Sequence, residues 1–200
     1  MPNSTSLESK FQRLLEIMKT EQFLRMQGLG NEVPFFIVPY DPREANREGQ
    51  VAANLMKQLQ LVGIAVLTID LYDLTLEMLL ERDLLDTLLD REDTLCKSEL
   101  MELLQNVLDP ETHLVPGIER KLQAVDPKIL FITGVGQVYP YIRTHNVLSN
   151  LQRAAKKHPT VMFFPGEYTH SVQTGANLSL FGRVPGDKYY RAFNFDDYQL

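Results

Sequence analysis

The sequence is poor in the residues that carry disulfide and redox chemistry. It contains one cysteine, Cys96, among 200 residues, so neither an internal disulfide nor a cysteine-based metal cluster can form. Such a composition is typical of a reducing compartment. The amino terminus has no signal-peptide pattern, and no window approaches the roughly 20 apolar residues that a membrane helix needs. We therefore expect a cytoplasmic protein that does not bind a membrane.

A complete phosphate-binding motif is also missing. A P-loop needs several glycines followed by Lys and Ser or Thr, because backbone N–H groups wrap the phosphates and the ammonium group bridges them. Residues 41–49, after the first predicted strand, have one glycine, one proline and three acidic side chains instead. The Lys97-Ser98 pair has no glycine before it. Gly134-Val135-Gly136 begins like a dinucleotide fingerprint, but Tyr139 takes the third glycine position, and a tight turn explains both glycines.

Catalytic and metal-binding patterns are absent from the sequence as well. The four histidines stand far apart and no Gly-x-Ser-x-Gly turn is present, so we predict no metal, no cofactor and no catalytic residue. Asp41 and Asp70 follow two predicted strands and can converge as a pair which, with His145, would support hydrolysis. Helix capping explains Asp41 more simply, with Pro42 as the first helical residue and Glu44 reaching back to the cap.

The net charge of −6 is unevenly distributed along the chain. Residues 70–111 hold 13 acidic and 3 basic side chains, whereas residues 1–69 are balanced and residues 112–200 have a basic excess. DNA binding depends on clustered Lys and Arg that displace counterions from the phosphate backbone. We therefore expect no direct nucleic-acid binding by this protein on its own, and the acidic middle segment predicts a basic partner.

Hydrophobic periodicity predicts a single α/β domain over residues 1–200. An amphipathic helix is predicted over residues 7–27, and the helix after the first strand is expected to end near Leu61. Strands that alternate with helices indicate three layers, with helices on both faces of a mostly parallel sheet of about four to five strands. The predicted strands are 35–38, 64–69, 129–133 and 161–164, with 178–181 and 189–193 as a fifth strand or an edge hairpin.

A helical insertion is predicted between the second and third strands. Residues 71–125 contain leucine-rich stripes at helical spacing amid carboxylates, and Asp109-Pro110 begins a further helix within them. Its leucines, with the acidic residues around them, predict a contact surface for a partner. The leucines assigned to this surface are Leu84, Leu85, Leu88 and Leu89.

Arginine and tyrosine recur where the predicted strands end. These two residue types dominate protein–protein hot spots, because they combine planar donors or hydroxyl groups with a large contact area. Loops at the carboxyl ends of parallel strands meet at one edge of the sheet, where ligands and partners bind. We therefore predict a partner- or anion-binding edge there. Its candidate residues are Arg43, Tyr139, Arg143, His145, Tyr168 and Arg191.

Several motifs resemble those of a known family. They are Asp41-Pro42-Arg43, Ile132-Thr133-Gly134-Val135-Gly136, Tyr139-Pro140, Arg143-x-His145-x-x-Leu148, Phe163-Phe164-Pro165-Gly166-x-Tyr168, Leu180-Phe181-Gly182 and Tyr189-Tyr190-Arg191-Ala192-Phe193. In order and spacing they resemble the BrxB family, the small component of bacteriophage exclusion (BREX) systems. The resemblance extends from Phe35 to the end of the chain.

The resemblance implies a subunit of a bacterial phage-resistance complex that also contains a large ATPase, a DNA methyltransferase and a PglZ protein of phosphatase fold. It implies a degenerate P-loop-like fold without catalytic equipment, in agreement with the missing motif. The first hypothesis is therefore a non-enzymatic scaffold that bridges the PglZ-like and ATPase components. The alternative is a degenerate nucleotide- or phosphate-binding domain with a regulatory role, since the Gly134-Val135-Gly136 turn precedes a helix whose N-terminus favours anions.

Overall fold

Parallel strands form the centre of the molecule. The computed structural model describes residues 6–27, 34–171, 175–186 and 192–198. Within them, the sheet has the order β2-β3-β4-β1-β7, and every neighbouring pair in that order is parallel. This confirms the predicted α/β class with a mostly parallel sheet. The strands are β1 Phe35–Tyr40, β2 Val66–Asp70, β3 Ile129–Thr133, β4 Thr160–Ser171, β5 Gly175–Leu180, β6 Val184–Pro185 and β7 Phe193–Asn194.

Helices cover both faces of this sheet. One face packs against the first three helices through alternate residues of β1 such as Phe36 and Val38, and the other face packs against the remaining helices through Phe35 and Ile37. Every residue of β3 is buried, as expected for a parallel strand between two helical layers. The helices are α1 Leu7–Met18, α2 Glu21–Leu24, α3 Ala45–Leu61, α4 Leu71–Glu81, α5 Leu85–Glu92, α6 Lys97–Val107, α7 Val115–Val125 and α8 Thr144–Ala154.

The N-terminal helix predicted over residues 7–27 is instead two helices. The first ends at Met18, and Thr20 begins the second because its side chain accepts a hydrogen bond from the Phe23 N–H group. The Thr20 hydroxyl also donates to the Ile17 carbonyl. A threonine that satisfies nearby backbone groups in this way competes with a continuous helix.

The helical insertion agrees with the sequence pattern. Three helices, α4 to α6, occupy residues 71–107, and Asp109 caps a π turn over Pro110–Leu114 by accepting a hydrogen bond from the Thr112 N–H group. The turn leads into α7, which ends at Asp126 in a left-handed conformation. None of the helices in the described ranges is both long enough and apolar enough to cross a membrane.

Strand β4 runs past the point where a loop was predicted. Residues Pro165 to Tyr168 were expected to follow the strand, but they continue it to Ser171 and pair in antiparallel fashion with β5. Gly166 lies so close to β5 that a Cβ atom there would be 2.1 Å from the Ser179 carbonyl oxygen. Glycine at position 166 therefore allows the backbones of β4 and β5 to approach each other closely, and it does not mark a turn.

The predicted C-terminal elements are partly changed. Strand β5 covers residues 175–180, and Phe181 lies in the following turn with a φ of 56°. Residues 187–191 lie outside the described part of the chain, and Pro185 belongs to β6. Strand β7 pairs with β1 and so joins the sheet edge instead of a hairpin. A fold-class prediction cannot assign such a two-residue strand, because its pairing is decided by distant residues.

The C-terminal segment is held against the sheet by the first helix. Lys10 is buried, and its ammonium group donates to the Pro39 carbonyl at 2.7 Å and to the Asp196 carboxylate at 2.5 Å. Arg13 donates to the carbonyl oxygens of Asp196 and Tyr198. The contacts with Asp196 and Tyr198 join residues that are more than 180 positions apart in the sequence.

Replacing Gly166 with alanine tests the role of the close approach. We expect Gly166→Ala to lower the free energy of unfolding by about 3 kcal/mol, because an added methyl group would force β4 away from β5. Urea denaturation followed by circular dichroism measures the change. The control is Gly49→Ala in α3, where a Cβ atom meets nothing within 4 Å and alanine should stabilise the helix by about 0.5–1 kcal/mol. Equal unfolding free energies for the two variants would contradict the structure.

Candidate functional site at the carboxyl edge of the sheet

The carboxyl edge of the sheet contains a small buried acidic cluster. Tyr40 ends β1, Asp70 ends β2, and Thr133 and Gly134 lie at the end of β3, so the parallel strands bring these residues to one edge. Glu48 reaches the same place from the first turns of α3. The cluster thus combines residues from four separate elements.

Glu48 is the least solvated acidic residue of this cluster. The residue is 6% exposed, its Oε2 atom accepts a long hydrogen bond of 3.4 Å from the Gly134 N–H group, and Oε1 has no hydrogen-bond partner among the described residues. Burial raises the pKa of Glu48 to about 7, against the opposing effect of the Tyr40 hydroxyl and the Gly134 N–H group, and the Asp70 charge adds to the rise. Near neutral pH this carboxyl group is therefore part protonated.

The Asp70 carboxylate accepts hydrogen bonds from other residues of the protein. Its Oδ1 atom accepts hydrogen bonds from the N–H groups of Tyr72 and Asp73, which caps α4, and its Oδ2 atom accepts one from the Thr133 hydroxyl at 2.8 Å. Tyr40 lies beside both carboxyl groups, and its pKa is raised by burial first and then by the charge of Glu48. Asp70, Thr133, Tyr40 and Glu48 thus lie together at the strand ends, where Asp70 is bonded to Thr133 and Glu48 to the Gly134 N–H group.

The glycine turn after β3 faces these two carboxyl groups. Gly134 has a φ of +73°, and a Cβ atom there would be 2.6 Å from the Asp70 Oδ1 atom. The Gly134 N–H group donates to Glu48. At Gly136, an added Cβ atom would be 3.0 Å from side-chain atoms of both Phe181 and Pro165, so these two residues cover the turn. A phosphate at this turn would meet negative charge where it needs donors. The geometry therefore disfavours the predicted alternative of a phosphate-binding loop.

Sequence reasoning missed Glu48, although a signal for it exists. The buried stripe of α3 consists of Val51, Ala52, Leu55 and Leu59, and Glu48 occupies the preceding position of the same stripe. An acidic residue at a core position of an amphipathic helix indicates a buried polar group. The single glycine and the lack of lysine in residues 41–49 argue against a P-loop, but they do not indicate a buried carboxyl group.

Asp41 is a helix cap, which the sequence favoured over a pair with Asp70, and its carboxylate is bound by the nearby Arg43. The Arg43 guanidinium group and the Arg43 N–H group both donate to the Asp41 carboxylate, which caps a short 3-10 helix over Pro42–Glu44. These bonds lower the pKa of Asp41 to about 2, with the guanidinium group as the larger cause. Glu44 does not reach back to the cap as predicted, since it accepts a hydrogen bond from the Leu7 N–H group at 2.9 Å.

Three of the predicted edge residues share one cleft. Tyr139, Arg143 and His145 lie together where the loop after β3 enters α8, and Arg143 is the N-cap residue of that helix. The Tyr139 ring packs edge-on against Phe181, with 6.2 Å between ring centroids. The cleft has a volume of about 40 Å³. Its other lining residues are Thr144, Phe164, Leu178, Leu180, Val184, Pro185 and Gly186.

The other three predicted edge residues are not in this cleft. Arg43 is bound to Asp41 and is largely exposed. The Tyr168 hydroxyl donates to the Ala192 carbonyl at 2.9 Å, which ties β4 to the C-terminal segment. Arg191 lies outside the described residues, so the structure does not place it.

The predicted leucine surface is mostly internal. Leu88 is buried, and Leu84 and Leu85 are half-buried against the core, whereas Leu89 is 58% exposed. The stripe at 84, 85 and 88 therefore attaches α5 to the domain. Of the four predicted leucines, Leu89 remains accessible to a partner.

Stability should depend on pH through Glu48. Its pKa in the folded protein is raised from 4.5 to about 7, so the folded state holds an extra proton between these values and stability falls as the pH rises through that window, by at most about 3 kcal/mol. We expect Glu48→Gln to remove this fall and to be the more stable protein at pH 8. Urea denaturation between pH 4 and 8 measures it, with exposed Glu16→Gln as control. Parallel pH profiles for wild type and Glu48→Gln would contradict the assignment.

The carboxylates around Gly134 predict that nucleotides do not bind here. We expect ATP, with or without magnesium, to leave the unfolding temperature unchanged, because two acidic groups repel the phosphates at the glycine turn. A ligand at one hundred times its Kd would stabilise the protein by about 2.7 kcal/mol, which thermal denaturation detects readily. A concentration-dependent rise with ATP that inorganic phosphate does not produce would restore the nucleotide-binding alternative.

Comparison with known proteins supports the resemblance found in the motifs. The family model described as BREX protein BrxB matches residues 67–195. BREX protein BrxB of Bacillus cereus (strain H3081.97) is 32% identical over 195 residues, which cover 96% of this chain and 98% of that protein. BREX protein BrxB of Escherichia coli O9:H4 (strain HS) is 28% identical over 189 residues, or 94% of this chain and 90% of that protein. No solved structure matches the chain significantly.

The family match includes the elements that build the cleft. Strand β3, helix α8, the extended β4 and the β5–β6 hairpin all lie within residues 67–195, whereas Glu48 precedes them. More than half of the chain fits the family model, and the Bacillus relative aligns with it from end to end. The chain therefore belongs to the BrxB family of BREX proteins.

Proposed function

We propose that this protein is a non-enzymatic assembly subunit of a BREX phage-resistance complex, in which it bridges the PglZ-like protein and the large ATPase. The proposal is supported by the family membership and, above all, by the cleft that contains Tyr139, Arg143 and His145. The two partners are those that the family resemblance implied.

The composition of the cleft suits a protein partner. Its lining includes the buried apolar residues Phe164, Leu178 and Leu180, whereas Arg143 is exposed and Tyr139 and His145 are half-buried. Hot spots of protein interfaces have this arrangement, with an apolar anchor surrounded by groups that donate hydrogen bonds. A partner side chain inserted here would exclude water from these polar groups.

The size of the cleft also favours a partner over a substrate. A volume of about 40 Å³ is well below the roughly 300 Å³ at which small-molecule pockets begin. It accommodates the end of one side chain. The Asp70 and Asp41 carboxylates at this edge of the sheet already accept intramolecular hydrogen bonds, so both serve as caps in the folded protein.

Truncation of Arg143 tests the assembly role. We expect Arg143→Ala to weaken binding of at least one of the two partners by about 2 kcal/mol, roughly thirtyfold in Kd, as for a hot-spot arginine. Affinity capture of the tagged protein from its native operon, with quantitative mass spectrometry, measures the loss. The control is Arg25→Ala, which removes an exposed arginine at the C-terminal end of α2, on the opposite face of the sheet.

The bridging role has a separate outcome in the same experiment. Deletion of the gene should separate the PglZ-like protein from the ATPase during purification, whereas Arg25→Ala should not. If neither protein is captured by the wild-type subunit, or if both remain together without it, the proposed function is wrong. Turnover of a substrate by the purified subunit alone would also overturn it.

A further inference from the structure

Helices α5 and α6 are only thinly packed against the rest of the domain. Leu88 is the one buried residue in α5, and α6 has no buried residue over its whole length. The apolar side chains of α6 that face the core, such as Leu100 and Leu104, are half-buried. These two helices thus have an inner side that is only half-buried and an outer side that is exposed.

Large apolar side chains are exposed on this layer and next to it. Leu89 in α5 and Leu80 at the end of α4 are each 58% exposed, and Met101 in α6 is 37% exposed. Because two of these leucines are exposed over more than half of their area, they leave apolar surface in water, and its burial against a partner is favourable. Exposed apolar side chains that are surrounded by polar ones mark interaction sites.

The charge of the same helices identifies the kind of partner. Their exposed carboxylates outnumber basic groups, and the residues named below form no ion pair or side-chain hydrogen bond with any described residue. Of the three basic side chains in the acidic segment, Arg82 is bound to the Val107 carbonyl. The unpaired carboxylates are Asp83, Asp86, Asp90, Glu92, Asp93 and Glu102.

We propose that α5 and α6 receive a basic, amphipathic helix from another subunit of the defence complex. This inference rests on the proposed function and names the chemistry of one partner surface. Apolar residues of that helix would cover Leu89 and Met101, and lysine or arginine residues on its flanks would pair with the carboxylates of α5 and α6. The unpaired carboxylates of α5 and α6 repel each other in the free protein. A cationic partner therefore stabilises the complex in two ways, by neutralising these charges and by burying the apolar side chains.

A helix is the partner element that fits this surface. Side chains on the outer side of two helices form ridges at three- and four-residue steps. The side chains of a third helix pack into the grooves between these ridges. Leu89 and Met101 provide such protruding residues amid carboxylates. Basic and apolar residues on opposite sides of one helix allow it to bury leucine side chains while its charged groups stay near water.

The chain's one cysteine provides a direct probe of this surface. Cys96 is exposed and is the N-cap residue of α6, between the two helices. The purified protein is labelled there with a maleimide-linked benzophenone and mixed with the PglZ-like protein and the ATPase, each purified from a strain that lacks the subunit. Irradiation and mass spectrometry then identify the crosslinked peptide. Cys96→Ser, treated identically, controls for labelling elsewhere.

We expect the crosslink to fall in a helical segment with a net positive charge and an apolar stripe. Asp86→Lys combined with Asp90→Lys should lower its yield at least tenfold, and Leu89→Asp should do the same. Glu16→Lys, a charge reversal on α1 on the opposite face of the sheet, should leave it unchanged. Raising the salt concentration should weaken the crosslink of wild type more than that of the charge-reversed variant.

The outcomes distinguish this inference from the assembly role. If the subunit joins the complex but the crosslink falls in an acidic or neutral segment, or survives charge reversal, the basic-helix inference is wrong and the assembly role stands. If the subunit joins no complex, both are wrong. Circular dichroism of each variant confirms that a lost crosslink does not reflect unfolding.

Discussion

The continuation of β4 beyond the parallel sheet is the constraint on which the carboxyl edge depends. Because Gly166 allows the β4 backbone to pass within contact distance of Ser179, the chain turns into an antiparallel hairpin directly above the strand ends. The hairpin supplies Leu178 and Leu180 to the cleft and sets Phe181 against the turn after β3. An edge that is open to ligands in many α/β proteins is here filled by the protein's own side chains.

The acidic cluster beneath the edge is a second consequence of the same crowding. Glu48 is removed from water by the elements around it, and no basic side chain is among the groups that act on its pKa. A buried carboxyl group with one unpaired oxygen is costly, and protonation near neutral pH reduces that cost. The Gly134 N–H group connects this residue to the loop that carries Tyr139 and Arg143, so the charge state of Glu48 acts next to the cleft.

The two proposed partner surfaces share one layer of the domain. The cleft beside α8 and the insertion of α4 to α6 pack against the same hydrophobic cluster, while α1 to α3 cover the opposite face. A subunit built in this way can hold two partners on one layer, each through different chemistry. The cleft offers donors beside buried apolar residues, and the insertion offers carboxylates around exposed leucine and methionine side chains.

Local patterns in the sequence were sufficient for most secondary structure and for the family. Apolar runs of four to six residues identified β1 to β3, and the caps at Asp41 and Asp109 marked where helical segments begin. The motif order indicated the BrxB family, because each of these signals lies within a few neighbouring residues. The sequence also indicated that Tyr139, Arg143 and His145 lie near one strand end. Long-range packing alone decided the rest. Glu48 lies near enough to Asp70 for its charge to act on the Glu48 pKa, and β4 continues through Gly166 into the hairpin with β5. Leu84, Leu85 and Leu88 pack against the core. Each of these features depends on contacts between residues that are far apart in the sequence, which no local pattern can predict.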